Sequence, residues 1–576
     1  MNPFNHSSFL GYINEVTPQF VTIHFPSSSL LDKFSIDGKF YAGGHVGHYI
    51  VIEGEEYGFL ARLIELKLPD SERKAISETA IQHDDTVFHP SGKAELLLSF
   101  SVFEPTKTKK TASRYPSIGA KVYSCSDEQI ENYVKEFGKV KDDTDIFARL
   151  GKLTSNNATC TVSLNTIFGR HCAIVGTTGG GKSWTVAKLI EELTDKTNNK
   201  VIIIDATGEY KELCNNNVVF GIDTSFPYKY LSNTEFCFLF QEHSPNTVSA
   251  LCDAIHTLKL VKLGVLSDGV KIGKVPEDSI KKVRDNISSF KDCEFDIVNL
   301  PNQVANECVK VGRSVYEEDN FKLGYTSHLI SRINLFLSNK VVCSALGITQ
   351  DTEQSKQDIN KVIDDFLNGK NKEQLLRIGF EELSYEFAIR ELVVDFIASC
   401  LLKRARNAVF EKQPLVLFID EAHQFLNKRV NAEDNTTFSL LNIDLIAKEC
   451  RKYGLFLCLS TQMPRDIPVG TLSQMGTFIV HRLINEQDKK SIENASSSAN
   501  RSALSFLPIL GEGEALLVGV DFSMPLLLKI GEPISKPLSN TPRLTSKLAS
   551  ISFEANTEET SKINNEPENT VVEEVQ

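Results

Sequence analysis

No stretch of the sequence is apolar for long enough to cross a membrane. The longest apolar runs, Val201–Ile204, Pro414–Ile419 and Leu455–Leu459, have the length of strands, whereas a spanning helix needs roughly 20 apolar residues. The opening residues MNPFNHSSF also lack the basic and then apolar pattern of a secretory signal. We therefore expect no membrane contact and a cytoplasmic location.

Clustered cysteines are missing as well. The 12 cysteines are scattered singly, without a close CxxC pair, and this argues against a zinc site, which needs clustered ligands. Several, such as Cys172 and Cys458, lie in apolar strand-like runs, which predicts buried reduced thiols. The composition, 41% hydrophobic and 24% charged, is that of a globular protein and excludes a collagen, a coiled coil and wholesale disorder.

The chain has no excess of positive charge. Its formal net charge is −13 and its isoelectric point is near 5.5. This balance argues against a protein that coats DNA with its outer surface. It is compatible with a protein that holds DNA in a narrow channel, because only the lining of the channel must be basic. Charge therefore does not decide the partner.

The length of 576 residues predicts two or three domains. Residues 1–150 contain short β-rich segments with Gly, Pro and Ser between them, which predicts a small barrel or sandwich. Residues 160–535 alternate strands and helices, which predicts a parallel α/β sheet. We expect a helical insertion at about 245–412 and two antiparallel edge strands in EALLVGV and MPLLLKI. Residues 536–576 are polar and acidic, and we expect a disordered tail or an arm that docks on a neighbouring subunit.

The strongest chemical signal is GTTGGGKS, which fits the P-loop pattern G-x-x-x-x-G-K-[ST] between a strand and a helix. Lys182 would reach the β- and γ-phosphates, and the Ser183 hydroxyl would bind Mg²⁺. The N-terminus of the following helix favours an anion. ATP and Mg²⁺ are therefore the predicted cofactors. The residues expected to bind the nucleotide here are Gly176, Thr177, Thr178, Gly179, Gly180, Gly181, Lys182, Ser183 and Trp184.

A second signal is the acidic pair in PLVLFIDEAHQF. The apolar run predicts a buried strand that delivers Asp420 and Glu421 at its C-terminal end, where ligands bind in open α/β sheets. Asp420 would hold Mg²⁺ through water, and Glu421 would orient and activate the attacking water. Helix capping is the alternative for such a pair taken alone. Together with the P-loop, the pair favours ATP hydrolysis.

The segment ECRKYGLFLCLSTQMPRDI contains two further candidates. Gln462 would emerge beside Asp420 if their strands are sheet neighbours, and could then sense the γ-phosphate. Arg451 could act on the ATP of a neighbouring subunit, because phosphoryl transfer needs positive charge on the γ-phosphate. A surface arginine near a helix C-terminus is the alternative. Arg482 is a second candidate for the same role.

Two acidic residues follow the second strand of the α/β region. Asp205 and Glu209 lie in IIIDATGEY, and we place this strand beside the P-loop. They could order the catalytic water or the P-loop itself. Turn capping by Asp205 and a solvated Glu209 are the alternative.

Four segments in this order, FGRHCAIVGTTGGGKS, IIIDATGEY, LFIDEAHQF and ECRKYGLFLCLSTQMPRDI, resemble those of the HerA-like ATPases, which belong to the same P-loop branch as the FtsK DNA translocases. The β-rich N-terminus resembles the small barrel of that family. The resemblance implies a RecA/FtsK-like α/β core and a homohexameric ring with double-stranded DNA in its pore. Family members carry an arginine in the segment of Arg451, which favours a basic residue that acts in trans without identifying which one inserts. One departure is Cys450, where many relatives have glycine.

The resemblance also implies a protein partner. Bacterial relatives pair with effectors such as nucleases or sirtuin-type NAD hydrolases, in DNA processing or anti-phage defence. Two functions follow from this: a DNA translocase or helicase, or a ring scaffold that activates an effector without processive translocation. For the first function, Lys428 and Arg429 are candidate DNA contacts, with a plain solvated loop as the alternative.

Overall fold

The computed structural model describes residues 4–539, apart from 37, 42, 71–87, 104–107, 110–113, 137–144, 156, 349–355, 370–372, 384, 427–428, 432–436, 497–500 and 523. Lys428 and most of the predicted C-terminal tail lie outside these residues.

The β-rich N-terminal segment closes into a barrel. Its strands are β1 (Phe9–Val16), β2 (Phe20–His24), β3 (Phe34–Ile36), β4 (Lys39–Tyr41), β5 (Tyr49–Ile52), β6 (Tyr57–Lys67), β7 (Ser91–Ser101), β8 (Thr108–Lys109) and β9 (Lys121–Ser124). The order of the closed sheet is β2-β1-β9-β5-β6-β7, and β7 pairs again with β2. Closure removes the open edges that a sandwich would leave, and the alternating inward side chains form an apolar core.

The second sheet contains the remaining long strands. The strands after the barrel are β10 (Phe147–Leu153), β11 (Thr159–Ser163), β12 (Cys172–Val175), β13 (Lys200–Asp205), β14 (Asn217–Val219), β15 (Thr224–Ser225), β16 (Val309–Val311), β17 (Tyr316–Glu318), β18 (Gln357–Asp358), β19 (Leu375–Gly379), β20 (Leu415–Ile419), β21 (Arg429–Asn431), β22 (Thr437–Ser439), β23 (Leu455–Thr461), β24 (Thr477–Val480), β25 (Glu514–Gly519) and β26 (Leu526–Ile530). The sheet order is β11-β10-β26-β25-β24-β12-β23-β20-β13-β19-β14. The strands from β24 to β14 are parallel, and those from β25 to β11 are antiparallel.

Helices cover this sheet and form the insertion. They are α1 (Asp127–Glu136), α2 (Leu164–Phe168), α3 (Lys182–Lys196), α4 (Asn233–Leu239), α5 (Pro245–Lys262), α6 (Pro276–Asn286), α7 (Leu300–Asn306), α8 (Asn320–Ser338), α9 (Lys340–Ala345), α10 (Ile359–Leu367), α11 (Ile389–Arg406), α12 (His423–Leu426), α13 (Asn442–Glu449), α14 (Val469–Leu472), α15 (Glu486–Ala495) and α16 (Arg501–Leu504). Among the described residues, none of these helices is long and apolar enough to cross a membrane.

The parallel strands are buried because helices lie on both faces of the sheet. Every residue of β12, β13 and β20 is buried, and such strands have near-continuous apolar sequences. The helix α3 buries Val186, Leu189, Ile190 and Leu193, and this spacing forms one apolar stripe along a helix. Cys172 and Cys458 are buried register partners on neighbouring strands.

Three expectations about the sheet require correction. The strands β25 and β26 are antiparallel as expected, but they are not the edge, because β10 and β11 extend the sheet beyond them. The α/β sheet therefore begins at Phe147 and not near residue 160. The predicted insertion at 245–412 is mostly helical but contains β19, which pairs with β13 and β14. The third correction is that β13 does not lie beside the P-loop strand β12, because β23 and β20 separate them.

Candidate nucleotide-binding site

Three neighbouring parallel strands deliver the predicted site to one edge of the sheet. The order β12-β23-β20 places the C-terminal ends of these strands side by side. The loop of residues 176–181 follows β12, Asp420 and Glu421 follow β20, and Gln462 follows β23. The condition for Gln462 to emerge near Asp420 was that their strands be neighbours, and they are.

The loop after β12 has the shape of a phosphate cradle. Gly179 and Gly181 adopt φ values of +72° and +107°, which favour glycine. Gly181 caps α3 without a side-chain bond, so the first N–H groups of α3 point out of the helix without partners in it. The Lys182 ammonium donates to the Thr177 carbonyl at 3.3 Å and is buried. Burial lowers the pKa of Lys182. The nearby carboxylates of Glu421 and Asp420 act in the opposite direction and raise it in part.

His481 supports this loop from below, a role that the sequence analysis did not predict. Its imidazole is fully buried, with Nε2 2.8 Å from the Thr185 hydroxyl and Nδ1 2.9 Å from the Glu514 carbonyl oxygen. Because a carbonyl only accepts, Nδ1 carries the hydrogen and Nε2 accepts from Thr185 in the neutral ring. A Cβ added to Gly176 would lie 2.5 Å from the His481 Cβ. His481 therefore packs directly against the loop of residues 176–181 and holds it at this distance from the sheet.

A second contact with the loop comes from the turn before β25. The Gly513 N–H donates to the Gly180 carbonyl at 3.2 Å, and a Cβ on Gly181 would lie 2.9 Å from the Gly513 Cα. Only a residue without a side chain fits at Gly181 in this approach. The GEG sequence at 511–513 was the available signal, but nothing in the sequence connects it with a loop more than 300 residues away.

We predict that His481 makes the protein sensitive to mild acid. Burial, together with the charge of Lys182, lowers the pKa of His481 to about 4. The unfolded imidazole takes up a proton as the pH falls below about 6.5, whereas the folded one does not, so stability is complete above pH 6.5 and is lost towards pH 4. The loss attributable to His481 is about 3 kcal/mol. Urea unfolding at pH 7.5, 5.5 and 4.5 would measure it.

His481→Asn should flatten this pH dependence, because asparagine retains a donor near Nδ1 but does not titrate. The matched control is His45→Asn, since His45 is exposed on the barrel segment. An unchanged pH profile in His481→Asn would contradict the prediction.

The acidic pair occupies the centre of the site. Asp420 is buried, and its burial followed by the charges of Glu421 and Asp205 raises the pKa of Asp420 well above its ordinary value. Glu421 is also buried and has a φ of +45°. Non-glycine residues in this region are strained, and such strain concentrates at functional sites. A divalent cation between these carboxylates would relieve their mutual repulsion.

A chain of hydrogen bonds connects the P-loop with the acidic pair. The Thr178 hydroxyl donates to Gln462 Oε1 at 2.6 Å, and Gln462 Nε2 donates to Glu421 Oε1. The second Glu421 oxygen lies 3.3 Å from His423 Nδ1. Gln462 thus touches both the loop that would hold the phosphates and the carboxylate that would act on water.

Asp205 holds a turn together. Its oxygens accept from the N–H groups of Thr207, Gly208 and Tyr210 at 2.8–3.2 Å. The guanidinium of Arg377, from β19, donates to Asp205 Oδ2 at 2.7 Å and is itself buried. This geometry corresponds to the turn-capping alternative for Asp205. Neither Arg377 nor the strand that contains it was predicted from the sequence.

The same turn carries Glu209 to the P-loop helix. Ser183 neighbours both the Glu209 carboxylate and the Tyr210 hydroxyl. Burial, and then the charges of Asp205 and Glu421, raise the pKa of Glu209. Glu209 is therefore part of the site and not a solvated side chain, although β13 is not adjacent to β12.

Hydrated Mg²⁺ fits these residues. Two side-chain oxygens here, Glu209 Oε2 and Tyr210 Oη, are buried and form no hydrogen bond of regular geometry with another described residue. The described residues contain no group of three metal-ligating side chains close enough to hold an ion alone. Mg²⁺ usually takes one or two protein ligands and fills its octahedron with phosphate and water. Ser183 and Asp420 would supply those ligands.

The candidate arginines lie at opposite edges of the sheet. Arg482 follows β24 beside its own P-loop, where its carbonyl accepts from the Thr177 N–H at 3.1 Å. Arg451 precedes β23, in a 3₁₀ turn at Cys450–Tyr453, and its side chain is exposed. With a rise of about 3.3 Å per residue along β23, Arg451 is roughly 20 Å from the edge that carries its own P-loop.

Trp184 lies on the first turn of α3 and is half-buried. The Lys536 ammonium lies 5.7 Å from the centre of its ring, and the Leu538 N–H donates to the Glu209 carbonyl oxygen at 2.8 Å. The first residues of the predicted tail therefore pack against the nucleotide site of their own chain.

A P-loop, an acidic pair two strands away and a polar residue on the strand between them define the class of P-loop ATPases with a RecA-like strand order. Residues 148–405 match the family described as the central domain of helicase HerA, and residues 406–560 match the HerA-like C-terminal family. The chain belongs to the HerA-like helicase family and is an enzyme of the ATPase and helicase class.

Individual relatives agree with the family assignment. The DNA double-strand break repair helicase HerA of Sulfolobus acidocaldarius is 26% identical over 451 residues, which cover 75% of this chain and 76% of the relative. The probable HerA of Methanocaldococcus jannaschii is 28% identical over 404 residues, covering 66% and 75%. Among solved structures, the bacterial conjugative coupling protein TrwB matches with a TM-score of 0.42 and 13% identity, over 73% of this chain and 94% of that one. At this TM-score the likeness defines no closer relationship.

Proposed function

We propose that this chain is the motor subunit of a ring that couples ATP hydrolysis to movement along double-stranded DNA. The backbone N–H groups of residues 178–182 and the Lys182 ammonium hold the phosphates. Ser183 and Asp420 would hold Mg²⁺, which would neutralise phosphate charge. Glu421 takes a proton from the attacking water and aligns it, while Gln462 reports the state of the γ-phosphate to Glu421.

The observation that carries the ring is the position of Arg451. The site at the edge of β12, β23 and β20 contains Lys182 as a buried cation, and Arg451 is too far from it to act within one chain. A second copy that presents its own Arg451 face to this site would complete the charge neutralisation that phosphoryl transfer requires. Head-to-tail contacts of this kind close into rings.

DNA as the substrate is supported by the relatives, which are named as DNA break repair helicases. We further propose six copies in the ring, and a nuclease or a sirtuin-type NAD hydrolase as effector in DNA processing or anti-phage defence. The family resemblance is the support for this part.

The test is steady-state ATP hydrolysis with and without linear duplex DNA. We expect a several-fold stimulation that weakens with added salt, because phosphate contacts release counterions. The stimulation should disappear in Glu421→Gln. A rate of ATP hydrolysis that does not change with DNA would instead favour a ring scaffold that activates an effector. Co-purification with a partner would then be the next measurement.

A further inference from the structure

The side chain of Tyr210 is buried in an unusual way. The residue has no exposed surface, and its ring packs in the apolar core that underlies the P-loop helix. Its hydroxyl forms no hydrogen bond of regular geometry with another described residue, although the Ser183 hydroxyl lies within its reach. Burying an unpaired hydroxyl costs free energy that phenylalanine would not cost. A hydroxyl at this place therefore needs a reason outside the apolar core.

The surroundings of the hydroxyl are those of the nucleotide site. The charges that act on the hydroxyl are those of Asp420, Glu209 and Asp205, and the Ser183 hydroxyl lies within its reach. Glu209 Oε2 is likewise buried and without a partner, whereas both oxygens of Asp205 are occupied by the turn and Arg377. Two unpaired oxygens, one phenolic and one carboxylate, thus lie beside Ser183, the residue expected to bind the metal.

The chemistry of these two oxygens indicates what they bind. A phenol oxygen accepts a hydrogen while it donates its own, but a neutral phenol is a poor direct ligand for Mg²⁺, which prefers carboxylates, phosphates and water. Magnesium keeps several of its waters in proteins, and these waters need acceptors. Groups that orient such waters tune metal affinity by tenfold or more.

We propose that Tyr210 binds the hydrated magnesium–nucleotide complex: its hydroxyl accepts a hydrogen from a water ligand of Mg²⁺, and Glu209 Oε2 accepts from the same water shell. Tyr210 is then a positioning residue that acts through water and not through direct contact with the phosphates. The inference rests on the proposed use of Mg²⁺ and ATP.

Tyr210 should differ from an ordinary core tyrosine in how the melting temperature responds when its hydroxyl is removed. Tyr210→Phe removes an unpaired hydroxyl, so the melting temperature of the nucleotide-free protein should stay equal or rise. The matched control is Tyr123→Phe in the barrel, because the buried Tyr123 donates to Glu53 at 2.5 Å. That variant should lower the melting temperature and leave nucleotide binding unchanged.

The binding measurement uses ADP, with the full-length chain, in Mg²⁺ or in EDTA. In EDTA, Tyr210→Phe should bind ADP as tightly as the unmodified protein. The Mg²⁺ concentration that gives half of the Mg²⁺-dependent gain in ADP binding should be about tenfold higher in the variant, a loss of about 1.4 kcal/mol. Glu209→Gln should raise the Mg²⁺ requirement in the same direction. Both readouts are independent of turnover.

These measurements decide whether Tyr210 takes part in binding the Mg²⁺–nucleotide complex. An unchanged Mg²⁺ requirement in Tyr210→Phe, or a lower melting temperature without nucleotide, would overturn the role of Tyr210. If the unmodified protein itself binds ADP without any effect of Mg²⁺, the proposed cofactor fails and not the assignment of Tyr210 alone.

Discussion

Glu421→Gln is expected to abolish ATP turnover while ATP still binds. The substitution removes the carboxylate that would accept the proton of the attacking water, and general bases contribute about 10²–10⁴-fold to rate. Hydrogen bonding is preserved, because a glutamine at this position still accepts from Gln462 Nε2 through its amide oxygen. Binding should be equal or tighter, since one negative charge disappears from a buried cluster that includes Asp420 and Glu209.

The measurement is turnover together with the affinity for a fluorescent ATP analogue. Glu212→Gln is the matched control, because Glu212 is exposed near the site and should keep both properties. Two results would contradict the assignment. Turnover within about tenfold of the unmodified enzyme would remove Glu421 from the role of base. Lost binding would show that Glu421 builds the pocket instead.

The proximity of the candidate site residues could be predicted from the sequence because the parts of the site are local. The P-loop is a pattern of eight consecutive residues. The apolar run before Asp420 predicts a buried strand without information from the rest of the chain. Both fix their own backbone geometry, by glycines in the first case and by burial on two faces in the second. The side-by-side position of Gln462 and Asp420 needed one assumption about strand order, and that assumption holds.

The support of the centre could not be predicted, because it depends on contacts between distant segments. His481 and Gly513 lie far along the chain from the P-loop that they touch. The strand β19 was missed since its five residues include Arg377, and a charged residue in the middle of a short run argues against a buried strand. In the fold, Asp205 and Glu381 neutralise that charge at 2.7 and 2.9 Å. A buried ion pair of this kind cannot be read from either partner alone.

The location of Arg451 was, by contrast, available in the sequence. It precedes the strand whose other end carries Gln462, so the two residues must lie at opposite edges of any sheet that contains this strand. The constraint leaves one catalytic possibility, which is action on a different copy.

Arg451→Ala should therefore remove turnover without weakening ATP binding to the P-loop of the same chain. Arginine residues that reach into a neighbour's site contribute about 10³–10⁵-fold in related phosphoryl transfers. The matched control is Lys452→Ala, because Lys452 is the adjacent exposed cation and lies over the ring of Tyr453 at 4.8 Å. A similar loss in both variants would indicate a general effect of charge on this face and not a specific residue.

Mixing the two inactive variants makes the strongest test, because their defects lie on opposite faces. A junction between a Glu421→Gln subunit and an Arg451→Ala subunit is intact when the first presents its Arg451 and the second its Glu421. Random rings from equal amounts contain about one such junction in four, so activity should recover towards a quarter of the unmodified value. Each variant alone would stay inactive. Failure to recover in rings shown to contain both variants would mean that Arg451 serves its own chain or none, and the site would then need a different cation, with Arg482 beside the P-loop as the first to replace.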